Sequence, residues 1–454
     1  MADAPSLLKF SFKESTSTTL PTEFFCFNCH GSQQTTLPAH LVVKETSYLA
    51  GIHYNSLPGP PSGNGITCLQ CHEPHASVIP TLMRGATEEY VCIICHKKNG
   101  VTPNGGVSID AADVLSSLLT APDATVGLPG FPADRVIWYK HPTIEYSGRH
   151  TLLELFDATI AARVQSTTET RHAECEDCHN PHYARKTIYR NPPYLPESLL
   201  GAPGVKVFYP DQTTVPLYIW EPYGSVTYEY EICLRCHSGF SKAWYGDDLA
   251  KLFSPYNASY HPVISIGKNQ TTAMNNGLIG RTTTSMILCS DCHFSADITY
   301  PRGPHGSIYP FILASNYRFE IKQTTSTDDY NSKDFELCYK CHSEEPFKDA
   351  SGASRSDTNF RFHGYHLRAL YNNPGLNTVS GGILTPGAGS GNAICRECHY
   401  NPHGAKNPRL VEFAPNVLPT GNNTEPVFVP KTQNSSGYCL LKCHGKNHDS
   451  EMSY

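Results

Sequence analysis

Eight times in 454 residues the chain sets two cysteines three positions apart with a histidine directly behind them. The copies are Cys26, Cys29 and His30; Cys68, Cys71 and His72; Cys92, Cys95 and His96; Cys175, Cys178 and His179; Cys233, Cys236 and His237; Cys289, Cys292 and His293; Cys338, Cys341 and His342; and Cys395, Cys398 and His399. A ninth, Cys439, Cys443 and His444 in "YCLLKCHGKNH", has one extra residue between its cysteines. Together the nine use all 18 cysteines.

Residues i and i+3 of a helical turn share a face. Two thiols so placed can reach the two vinyl groups on one edge of a porphyrin, while the following His aims its imidazole at the iron. A single copy would equally fit a thioredoxin-like redox pair or a zinc site. Eight copies, each with its His, leave covalent haem attachment as the reading. In the tail, i and i+4 also share a helix face, so a helical turn is expected to absorb the extra residue. Thioether bonds at Cys439 and Cys443 and a proximal ligand at His444 follow, with a lone Cys439–Cys443 disulfide as the alternative. The expectation is nine haems c, with His30, His72, His96, His179, His237, His293, His342, His399 and His444 as proximal iron ligands.

Of 22 histidines, thirteen remain once these nine are set aside. His75, His182 and His403 trail the motifs in "CHEPH", "CHNPH" and "CHYNPHG", and His305 in "GPHG" is the same element displaced. His53, His141, His261 and His363 or His366 lie between consecutive motifs, and His448 follows His444 by four residues. These ten are the distal candidates. His40, His150 and His172 have no recurring context. Only five methionines are present, so low-potential bis-histidine irons are expected, since Met ligation is what raises the potential. A trailing His cannot ligate the haem of its own motif. Three residues span at most about 10 Å extended and about 4.5 Å as helix, too little to pass round a porphyrin. Each must serve a neighbouring haem.

Motif, intervening His, motif and trailing His make a repeat. It divides the chain into two-haem units at 1–90, 91–225 (with an insertion), 226–325 and 326–410, and a single-haem segment at 411–454. Helical periodicity is visible only in 109–120 and 151–164, and strand-like alternation in 205–232 and from 317. The fold class expected is therefore mostly irregular coil with short helices and a few short strands, organised around a chain of haems. Charged residues are only 17%, the formal charge is −6 and no basic run occurs, which argues against nucleic acid as a partner. No apolar run is long enough to span a membrane, and no signal peptide is visible.

The paired motifs resemble those of multihaem c-type cytochromes, especially in "C-x-x-C-H-x-P-H-G" and "HPV". They are similar to families of metal-reducing bacteria that form extracellular cytochrome filaments (nanowires) or outer-membrane electron conduits. The resemblance implies haem attachment after export, hence an extracellular or cell-surface location with the periplasm as alternative, and a signal peptide already removed. It implies long-range electron transfer, with redox proteins or extracellular acceptors as partners and self-assembly into a homopolymer. The alternatives are a periplasmic or porin-associated carrier, or a multihaem reductase with one open haem. No catalytic residue is expected, because every motif ends in His and the distal His suffice to close all nine irons.

Overall fold

The motifs supply seven of the short helical turns among the described residues. The computed structural model describes residues 53, 68–73, 83–84, 88–101, 111–120, 123–124, 137–144, 173–185, 191–211, 215–221, 226–241, 247–319, 327–370, 392–432, 435–444 and 446–449. The first motif lies outside these residues, so the expected thioether bonds at Cys26 and Cys29 and the expected ligation by His30 have no counterpart among them. His40, His75, His150 and His172 also lie outside, as does the helical pattern at 151–164. What is described is short helices with a few small, open sheets. Among the described residues no helix is long and apolar enough to cross a membrane.

Seven motifs adopt one local structure. Each His backbone N–H donates to the carbonyl of the first Cys, from His72 to Cys68 at 2.8 Å through to His399 to Cys395 at 2.9 Å. The turn is α-helical at Cys68–Cys71, Glu88–Cys95, Cys175–Cys178, Glu229–Cys236 and Cys395–Cys398, and begins as a 3-10 turn at Cys289–Asp291. Such short helices are marginal alone, and here a carboxylate between the cysteines closes the N-terminus. Asp177, Asp291 and Glu397 each accept the N–H of the residue before the first Cys, at 2.8, 3.0 and 3.0 Å, which satisfies a donor the helix cannot.

Strands form at Gly204–Phe208 and Leu217–Glu221, paired antiparallel, where the alternation predicts them. Residues 226–232, expected as strand, instead enter the helix Glu229–Cys236, because Glu231 caps Thr227 and Tyr228 at 2.8 and 3.0 Å and the motif requires a turn. Residues 317–319 are not strand either. The helix predicted at 109–120 occupies Val114–Thr120. The tail departs from expectation most: Tyr438–Cys443 is the central strand of an antiparallel sheet with Val427–Val429 and Lys446–His448.

No single core unites these pieces. The described apolar clusters are separate and small: Val205, Leu234, Phe240 and Ala250; Met83 and Val91; and Phe335, Leu367 and Ile394. Phe335 is 1% exposed and joins the helix His363–Arg368 to the eighth motif. Phe335→Ala should cost about 3–5 kcal/mol. Hydrogen exchange should show protection lost first in 336–339 and 363–368, with the cluster at Val205 unaffected.

Candidate haem sites

The distal candidates meet the motif histidines in facing pairs. Ring centroids are 6.2 Å apart for His53 and His96, 6.1 Å for His72 and His182, and 6.1 Å for His141 and His237. They are 6.1 Å apart for His179 and His305, 6.4 Å for His261 and His342, and 6.2 Å for His293 and His403. A seventh pair, His366 and His448, is 6.1 Å apart. A metal–imidazole bond of about 2.0 Å on each side, plus about 1.1 Å from each nitrogen to its ring centre, separates two coaxial rings by about 6.2 Å. The gaps therefore fit one six-coordinate iron each, and are too wide for direct ring-to-ring hydrogen bonds.

The trailing His of each unit faces the second motif of the unit before it, as His182 faces His72. The intervening His faces the first motif of the unit after it, as His53 faces His96. Both placements come from one backbone device. His53 Nδ1 donates to the Pro181 carbonyl at 3.0 Å, His141 Nδ1 to Pro304 at 2.6 Å, and His261 Nδ1 to Pro402. The proline in each case precedes the trailing His. In two clamps the backbones also pair, His141 N–H to His305 O and His261 N–H to His403 O, both 3.2 Å. Donation from Nδ1 fixes the tautomer and leaves Nε2 for a metal. The motif histidines are held likewise, with Nδ1 of His179, His293 and His399 donating to Ser198, Phe311 and Leu410 carbonyls at 3.1, 2.8 and 2.9 Å. The glycine of the third clamp is obligatory, since a Cβ on Gly404 would lie 1.7 Å from the Leu252 carbonyl oxygen.

Between the seventh and eighth motifs lies the helix His363–Arg368. His366 Nδ1 donates to Phe362 O at 2.8 Å and its ring faces His448. His363, three residues earlier on the same helix, packs against Phe347 and Phe360, and burial first, then His399 and His366, pushes it down to about 3.

Electrostatics agrees with ligation. Burial first, and then the facing imidazole, pushes His182 and His342 down to about 4 and His237 and His403 to about 3. These imidazoles are neutral at physiological pH, so their lone pairs are available. The thiols record how the sites adjoin. Cys92 is within hydrogen-bonding reach of Cys175, Cys233 of Cys289 and Cys338 of Cys395. Burial chiefly, with the next motif's thiols adding to it, raises Cys71 beside Cys95, Cys178 beside Cys233, Cys292 beside Cys341 and Cys398 beside Cys439. The second to ninth motifs therefore adjoin one another in sequence order. No described cysteine forms a disulfide, Cys439 and Cys443 included, whereas Cys26 and Cys29 are not among the described residues.

Residues 60–101 match the family model of the doubled CXXCH motif. That supports a c-type cytochrome. The match holds the second and third motifs of the chain, whose His72 and His96 face the two members of the first clamp. The assignment is consistent with a non-catalytic electron-transfer protein. No curated protein and no solved structure matches the chain.

Residues unmarked by the motif reading also build the sites: the clamp prolines, Gly404, and Glu397. Proline before the trailing His was a visible signal, and so was the acidic residue inside three of the motifs. His444 is placed differently from the other motif histidines. It is 3% exposed, its Nε2 lies 3.0 Å from both Glu397 carboxylate oxygens, and its Nδ1 has no hydrogen-bond partner.

The pairs fall into two geometries. Trailing-His pairs are near parallel, with interplanar angles of 8°, 13° and 17°, whereas intervening-His pairs stand at 78°, 64° and 64°. Axial ligands set the electronic state of a haem iron, and the angle between their planes is part of that. Electron paramagnetic resonance of the oxidised protein should resolve two low-spin populations. His182→Gly should deplete the near-parallel one and His141→Gly the other.

Proposed function

We propose that the chain is a nonahaem c-type cytochrome that carries electrons over long range through closely spaced bis-histidine haems, as a subunit of an extracellular filament. The observation that carries this reading is the run of facing imidazole pairs along motifs that adjoin in sequence order. Haems held there supply one-electron chemistry, and the polypeptide supplies spacing, ligand identity and dielectric. The second to seventh motifs are each faced by an imidazole from an adjoining unit, and with the eighth and ninth they form an unbranched series. The ninth haem of the count is the one on Cys26 and Cys29, which rests on the motif alone.

The described run of that series stops at the ninth motif, and copies joined end to end would extend it. End-to-end contact between copies is a heterologous interface, which propagates into an open polymer unless the rotation closes it. Such a polymer would join one series to the next, and this is what favours a filament over a diffusing carrier. The low charge and the Tyr, Thr, Ser and Asn richness suit an assembling surface. Export to the cell surface follows from the same reading, because thioether attachment of haem is an extracytoplasmic process in the cytochromes the motifs resemble.

The expected results are an intact mass carrying nine haems, an oxidised spectrum that is low-spin throughout, and filaments in electron micrographs of native material. Discrete particles alone would remove the filament and leave a periplasmic or porin-associated carrier. A high-spin iron in the wild-type protein would instead favour a reductase.

A further inference from the structure

The tail hairpin presents Cys439, Cys443 and His448 together. Alternation along the strand Tyr438–Cys443 puts Cys439, Leu441 and Cys443 on one face. Leu441 pairs directly with His448 across the hairpin, and directly paired residues share a face. His448 therefore projects between the two thiols and on their side. Its ring is 6.1 Å from His366 at 25°, within the range of the six other facing pairs. Its backbone carbonyl is anchored by the Thr420 hydroxyl at 3.2 Å.

His444 is placed otherwise, although a nitrogen of its ring lies within 4.8 Å of the Cys443 sulfur and a Glu397 oxygen. It opens the two-residue connection between the strands with a left-handed backbone (φ 47°), which a tight hairpin requires. Its Nε2 is taken by Glu397, which also accepts the Ile394 N–H at 3.0 Å and the Asn416 amide at 2.6 Å. No other histidine ring faces it among the described residues.

We propose that the ninth motif's haem is held by a β-hairpin, through Cys439 and Cys443, with His448 and not His444 as the ligand from its own attachment segment and His366 opposite. His444 is a positioning residue that fastens the hairpin to the eighth motif through Glu397. Attachment adds each thiol S–H across one vinyl C=C, so it needs no oxidant and releases no leaving group. The inference rests on the multihaem reading, and the two fail in different ways.

The test uses the full-length exported protein. Wild type should carry nine haems by intact mass, all low-spin when oxidised. His448→Gly should keep nine haems and turn one high-spin, and added imidazole should restore it. His366→Gly should affect the same haem. His444→Gly should stay low-spin and lose only thermal stability. If the His448→Gly chain does not accumulate, His448→Met retains a ligand, and one haem must then move to higher potential. An imidazole-rescued high-spin haem in His444→Gly, with His448→Gly unchanged, overturns the ligand assignment and leaves the multihaem reading standing. Eight haems in wild type, with Cys439 and Cys443 unmodified, removes the tail site alone. A chain without haem at any motif removes the multihaem reading itself.

Discussion

Seven motif histidines are fixed beside their own cysteines, and the imidazoles that face six of them come from other parts of the chain. The i to i+4 hydrogen bond from His to first Cys recurs in all seven. The facing pairs bring together residues more than a hundred positions apart, as His72 and His182 are. Among the described residues the apolar clusters around Val205, Phe335 and Met83 are small and separate, so these pairings account for much of the long-range organisation.

The clamp solves this with few residues. One imidazole donates to the carbonyl of the proline before another, so a single contact orients two ligands for two adjoining sites. Proline suits the position, since it has no N–H to satisfy and a fixed φ. The glycine of the third clamp lets the strand lie against Leu252. Because His141 faces His237 of the fifth motif and His305 faces His179 of the fourth, loss of one clamp would disturb two neighbouring pairs together.

Much of this was legible. The motif count came from spacing, the reach of three residues turned His182 and His403 away from their own motifs, and their rings face His72 and His293. Sparse core patterning followed from the composition. What was not legible depended on contacts rather than period. Residues 226–232 alternate like a strand, yet the Glu231 cap and the motif turn win. Of His363 and His366, which spacing could not separate, it is His366 whose ring faces another histidine, His448, while His363 packs against Phe347 and Phe360. The role of Glu397 was hidden, since a carboxylate inside C-x-x-C looks like any surface acid until His444 is packed on it.

The tail shows how an attachment spacing encodes its backbone. In a helix the turn delivers the next residue to the iron, so Cys-His adjacency is what matters. Here the residue after the second Cys, His444, opens the turn with a ring nitrogen within 4.8 Å of the Cys443 sulfur and a Glu397 oxygen, and the partner strand brings a second imidazole, His448. With three residues between the cysteines, a midpoint residue exists on the thiol face, and it is opposite that residue, Leu441, that the hairpin brings His448. A two-residue spacing would put the cysteines of a strand on opposite faces. The extra residue thus lets a strand set both thiols on one face, while His444 at the turn binds Glu397 of the eighth motif.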